Sequence, residues 1–177
     1  DHCDQDKKHR SDRFTHAAQN SCKNIIEINK NGSGQADKKI GLGSCIGAVL
    51  YDSNTKTAGL VHVMLPDSTK IKNNQNKMKF ADTGIDACID KMVKNGANRA
   101  ALTAKIAGGA QMFAFGSNND MLRIGERNVE AVKKKLRALG IRILAEDTGN
   151  SYGRTVEFYP QTGELLIKAV GKPPKAI

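Results

Sequence analysis

Two apolar, β-branched runs, Ile40 to Tyr51 and Ala58 to Leu65, flank the turn cluster Asp52-Ser53-Asn54-Thr55-Lys56. Runs of that length joined by turn formers predict an antiparallel hairpin. A second pair closes the sequence, with Val156 to Tyr159 and Leu165 to Val170 on either side of Pro160-Gln161-Thr162-Gly163. Between the hairpins the periodicity becomes helical. Ile85, Cys88, Ile89, Met92 and Val93 form one apolar stripe, with Asp82 as the expected N-cap and Gly96 as the stop. Val129, Val132, Leu136 and Leu139 form another, with Asn128 as the expected cap and Gly140 at its end. Arg99 to Ala107, broken by Gly108-Gly109, and Ile141 to Ala145 supply further strands. The order β-β-α-β-α-β-β-β, with a hairpin at each end and two helices between them, predicts an α+β sandwich of mixed or antiparallel sheets and helices. It excludes the regular alternation of a Rossmann fold.

The chain has 177 residues, which suits one domain. Trp is absent and aromatics are 5%, so the core must be built from Ile, Leu, Val, Ala and Met. Residues 1–38 read as a polar, largely disordered N-terminal extension in which Ile25 to Ile28 is the one short strand candidate; residues 39–177 read as a single domain. No apolar run nears the roughly 18 to 20 residues that cross a bilayer, so no membrane insertion is expected. Asp1 to Arg10 contain no hydrophobic signal-peptide core. The cysteines at 3, 22, 45 and 88 form no CxxC pair, which fits reduced thiols and a cytoplasmic location. His2, Cys3, His9, His16 and Cys22 invite a zinc reading, but their spacings match no zinc pattern, and no metal or other cofactor is expected.

The net charge is +10. Up to Lys39 there are 8 basic and 6 acidic residues, and beyond it 20 against 12, so the excess belongs to the folded part. Such a charge steers acidic partners towards the surface. No aromatic residues alternate with Arg to stack bases, so nucleic acid is not an expected partner. Lys133, Lys134, Lys135 and Arg137 crowd the C-terminal half of the second helix, where they complement its dipole as a solvated face or dock an acidic partner.

Chemistry concentrates at Gly41-Leu42-Gly43-Ser44-Cys45-Ile46-Gly47, which fits neither G-x-G-x-x-G nor a phosphate-binding P-loop. Glycines beside a cysteine let a substrate approach closely, and the backbone N–H groups of Gly43 and Ser44 are candidates to hold an oxyanion. Cys45 is therefore the candidate nucleophile; Cys88, on its apolar stripe, is assigned to the core. A nucleophilic cysteine needs a base within reach. Three of the four histidines lie in the extension, leaving His62, on the partner strand of the first hairpin. In an antiparallel pair opposed residue numbers have a constant sum. If that sum is odd, as with 47 opposite 62, Cys45 and His62 share a face as diagonal neighbours roughly 7 Å apart at Cα. If it is even, they face opposite ways and the pairing fails.

Gly41-Leu-Gly-Ser-Cys45, His62-Val-Met-Leu-Pro-Asp-Ser68, Ala81-Asp-Thr83, Ala104-Lys-Ile-Ala-Gly-Gly-Ala110, Ile124-Gly-Glu-Arg-Asn-Val-Glu-Ala-Val132 and Ala145-Glu-Asp-Thr-Gly149 resemble, in order, segments of the CheD family. The resemblance spans Ile40 to Val170 and implies a chemoreceptor glutamine deamidase of the chemotaxis system. It also implies a fold resembling bacterial deamidase toxins, with the Cys-His site on the N-terminal hairpin. The family's nucleophile and histidine fall on Cys45 and His62. Implied partners are the cytoplasmic helices of chemoreceptors and a CheC-type phosphatase. The family's third polar residue, a threonine six positions before the cysteine, is here Lys39, and the usual Gly-Glu-Tyr-like opening is missing. Another group orients the histidine, or the chain is a weak or inactive adaptor retained for binding. A nucleic-acid module and a thiol hydrolase acting on small amides are the other readings.

Overall fold

Strands β3 (Ile46–Asp52) and β4 (Thr57–Val63) carry fourteen residues that are all buried, without the polar alternation of a half-exposed sheet. A pair buried on both faces must lie between two layers, and that requirement organises the molecule. The computed structural model describes residues 26–29, 39–72, 75–111 and 123–177; the residues weighed for zinc fall outside these, as does most of the extension.

The remaining elements are β1 (Ile26–Asn29), β2 (Lys39–Leu42), α1 (Ala81–Lys94), β5 (Leu102–Gly108), α2 (Ile124–Ala138), β6 (Arg142–Thr148), β7 (Arg154–Tyr159), β8 (Glu164–Lys168) and β9 (Lys175–Ala176). They build a five-stranded sheet in the order β1-β4-β3-β5-β6 and a four-stranded sheet in the order β2-β7-β8-β9. β5 and β6 run parallel, as the intervening α2 requires, and the other pairs are antiparallel. β1 pairs with β4, so the first sheet takes in four residues ahead of the expected boundary at 39.

Alternate residues of the central strands feed two cores. Ile46, Ala48, Leu50, Val61 and Val63 pack with Ile85, Cys88, Ile89 and Met92 of α1 and Val132 and Leu136 of α2. Val49, Tyr51, Ala58 and Leu60 face the other way, onto Ile40, Leu42, Val156, Phe158, Leu165 and Ile167 of the second sheet. The result is three layers: helices, mixed sheet, antiparallel sheet. The α+β class, both helices and both hairpins follow the sequence expectation.

Four details differ from it. Ile40 to Tyr51 is not one strand: the chain bends at residues 43–45, sending β2 to the second sheet and β3 to the first. A glycine-rich segment allows that bend, and burial of Ile40 and Leu42 between the sheets holds it. Asp82 is not the N-cap of α1, which begins after Phe80. Its carboxylate instead accepts from Ser68 N and, at 2.6 Å, from Ser68 Oγ, tying down the segment after β4. Asn128 is not the cap of α2, because that helix starts at Ile124 and places Asn128 a full turn inside. Val93 lies off the buried stripe of α1, 44% exposed. Gly96 and Gly140, at φ +95° and +70°, do follow the helices as the sequence expectation had them.

At the far end of the first hairpin, buried Asp52 accepts from Asn54 N, Thr55 Oγ1 and Asn98 N at 2.8–3.0 Å. Burial pushes its carboxyl up, but these hydrogen bonds outweigh burial and hold it below the ordinary value. The β3–β4 turn is thereby fixed to the loop after α1.

Candidate active site

β3 and β4 pair in seven rungs, from Ile46↔Val63 to Asp52↔Thr57, with Gly47 opposite His62. The sum is odd. Cys45 immediately precedes β3, and continuation of the ladder sets it across from Met64 and diagonal to His62. Alternation puts His62 on the face of Ala58 and Leu60, which is the face between the sheets, and Cys45 packs at the edge of that same cluster. The register brings the two side chains to one face. Gly47 separates them along β3; a Cβ there would lie 3.1 Å from Leu42 Cδ1, so its bareness lets the Leu42 side chain pack against the strand.

The bend that carries Cys45 is held by its carbonyls. Gly43 O accepts from Ala110 N and Cys45 O from Gly109 N, each at 2.8 Å, and Ser44 O accepts from Asn128 Nδ2 at 3.1 Å. Three successive peptide oxygens thus point at fixed protein donors. Gly43, Ser44 and Cys45 are half-buried. Lys39 sits in β2 opposite Glu157 of β7.

His62 is only 4% exposed, and neither ring nitrogen has a hydrogen-bond partner among the described residues. Burial lowers its pKa below the ordinary 6.5 by penalising the charged form, so the imidazole is neutral near pH 7. No third group orients the ring among the described residues. Cys88 is the opposite case: fully buried on α1, with its thiol pushed up to about 12 by burial, it is unsuited to ionise. Among the described residues no three His, Cys, Asp or Glu side chains cluster as metal ligands. Nor is any helix there long and apolar enough to cross a membrane.

Sequence reasoning missed the supports of this site. Gly108, read only as a strand breaker, lies against the Cys45 bend at φ +112°, where a Cβ would stand 2.2 Å from Cys45 O. Gly109 is similarly closed in by Val129 and Ile46 side chains. Buried Arg154 of β7 donates to the carbonyl and carboxylate of Asp147 and to Gly149 O. Gly149 N in turn donates to Gly108 O at 2.9 Å. One signal was available for Asn128: it lies four and eight residues before Val132 and Leu136, in line with the buried stripe, where a polar side chain needs an internal partner. Gly108→Ala is expected to cost more than about 1 kcal/mol, because both the backbone conformation and the Cys45 carbonyl oppose a methyl group. Thermal unfolding checks this; an unchanged midpoint would show that the bend can shift freely.

The family model described as CheD chemotactic sensory transduction matches residues 64–169. A probable chemoreceptor glutamine deamidase CheD of Lachnoclostridium phytofermentans is 68% identical over 138 residues, covering 78% of this chain and 86% of that protein. The chemoreceptor glutamine deamidase CheD of Halalkalibacterium halodurans is 59% identical, covering 77% of this chain and 85% of its own. That of Bacillus subtilis is 51% identical, covering 77% and 83%.

Proposed function

Because the chain belongs to the CheD family, we propose that it is a chemoreceptor glutamine deamidase in which Cys45 is the nucleophile and His62 the base. The observation that carries the site assignment is the register of 47 opposite 62, which turns a thiol and a neutral imidazole to one face. His62 takes the Cys45 proton. The thiolate attacks the side-chain carbonyl of a receptor glutamine, and backbone N–H groups around Gly43 and Ser44 hold the oxyanion, an interaction commonly worth about 3 kcal/mol. The imidazolium gives its proton to the departing nitrogen, ammonia leaves, and a thioester remains. Water activated by His62 then cleaves the thioester, yielding glutamate and restoring the thiol. The chemistry needs no metal or organic cofactor. The fold in this reading is that of the bacterial deamidase toxins, and the work is done in the cytoplasm on receptor helices, with a CheC-type phosphatase as second partner.

Lys39, in place of the family threonine, and the absence of a third group on the His62 ring among the described residues favour one alternative: a weak or inactive adaptor that binds the receptor or the phosphatase. One assay separates the two. A purified receptor cytoplasmic fragment mixed with the protein releases ammonia, whereas free glutamine does not. No release from any receptor fragment contradicts the enzyme, and equal release from free glutamine contradicts the receptor specificity.

A further inference from the structure

The β3–β4 ladder ends at Ile46↔Val63, and the next rung would join Cys45 to Met64. At that point the fully buried amide of Asn128, on α2, donates to Ser44 O at 3.1 Å and Met64 O at 3.0 Å. Both hydrogens of one NH2 group are therefore spent on two carbonyls, one immediately before Cys45 and one two residues past His62. The amide oxygen has no partner among the described residues although it is buried. A purely structural site would favour a side chain whose oxygen is also satisfied. Two close carbonyls facing one group, by contrast, can be bridged only by a double donor. A threonine or serine supplies one hydrogen, and an aspartate supplies none when ionised. α2 is itself fixed against the glycine wall of the site, since a Cβ on Gly125 would stand 2.7 Å from both Gly109 O and Ala110 O.

We infer that Asn128 is a positioning residue: it clamps the Cys45 bend to the end of β4 where strand pairing stops, and so sets the separation of the Cys45 thiol from the His62 imidazole. This inference rests on the reading of Cys45 and His62 as nucleophile and base. A rigid clamp matters because a misplacement of about 1 Å can cost about a hundredfold in rate.

The test compares Asn128→Asp, nearly isosteric but with no amide hydrogens to donate, with Asp52→Ala, which breaks an equally buried polar anchor at the opposite end of the same hairpin. Ammonia release from a receptor fragment, the iodoacetamide reaction of Cys45 as a function of pH, and thermal unfolding are measured for both and for the parent, below every unfolding midpoint. The expected result is a kcat lowered about a hundredfold in Asn128→Asp with KM little changed, and a Cys45 reaction profile moved towards that of an ordinary thiol. Asp52→Ala should lose stability but keep the parent's kcat and profile. Should Asn128→Asp not fold, Asn128→Ser, which retains one donor, decides by the same readouts. The inference is overturned if the folded Asn128 variant keeps the parent's kcat and profile, or if Asp52→Ala loses them equally, since either outcome leaves Asn128 merely structural. A parent that releases ammonia even as Cys45→Ala would instead overturn the underlying assignment, which the Asn128 variants alone do not address.

Discussion

Cys45→Ala is expected to release no measurable ammonia from a receptor fragment while unfolding close to the parent's temperature. Removing the nucleophile of a covalent hydrolase costs on the order of 10⁶-fold in rate, because the thioester path vanishes. The fold should tolerate the change. The bend at residues 43–45 is held by its carbonyls, through Ala110 N, Asn128 Nδ2 and Gly109 N. Cys45 is half-buried at the edge of the inter-sheet core, so alanine leaves little cavity. Cys88→Ala should behave in reverse: buried among Ile85, Ile89 and Met92, it contributes packing and no chemistry. Ammonia release and thermal unfolding of the two variants check both halves. Retained release in Cys45→Ala would remove the cysteine from the mechanism.

The second large effect is at His62. His62→Leu should lower kcat by about 10² to 10⁴-fold, the usual contribution of a positioned base, yet leave stability unchanged or raised near pH 7. An unpaired buried polar group costs about 1–3 kcal/mol, and both ring nitrogens are unpaired among the described residues. Leucine is of comparable size and suits the apolar side of Ala58 and Leu60. The acid side gives a further check. Burial lowers the folded pKa of His62, so the unfolded chain binds its proton first as pH falls. The stability associated with the neutral ring is complete above the ordinary value of 6.5 and is lost as pH falls from there through the folded pKa. His62→Leu should lack that loss. Thermal unfolding of both chains between about pH 5 and pH 7 measures it. A variant markedly less stable than the parent at pH 7 would mean that the imidazole is a structural element of the core.

Much of the architecture was legible because local pattern and burial agree. Continuous apolar runs mark β3 and β4, which are covered on both faces, and the stripes through Ile85 and Val132 mark the helices. The sequence named Cys45 and His62 but left the parity of their hairpin open, because register depends on how the turn closes; Gly47 opposite His62 makes the sum odd. The break between β2 and β3 was not legible, since a change of sheet costs no apolar residue and leaves the composition of Ile40 to Tyr51 unaltered. The caps were misread for a related reason. Asp82 and Asn128 are residues that favour helix starts, but each has a distant partner, Ser68 in one case and the Ser44 and Met64 carbonyls in the other. Tertiary hydrogen bonds overrode local preference there. Gly108 was missed because its role depends on the Cys45 bend, far away in sequence, and Arg154 because its partners, Asp147 at the end of β6 and Gly149 just after it, are reached only once the chain turns back into β7.

The proposed mechanism turns on proton exchange between the Cys45 sulfur and the His62 ring. Its most direct test is the rate of iodoacetamide reaction at Cys45 against pH, in the parent and in His62→Leu. The predicted result is a parent profile with its midpoint below the roughly 8.5 of an ordinary thiol, moved up to or beyond that value when the imidazole is removed. Coincident profiles in the two proteins would contradict it.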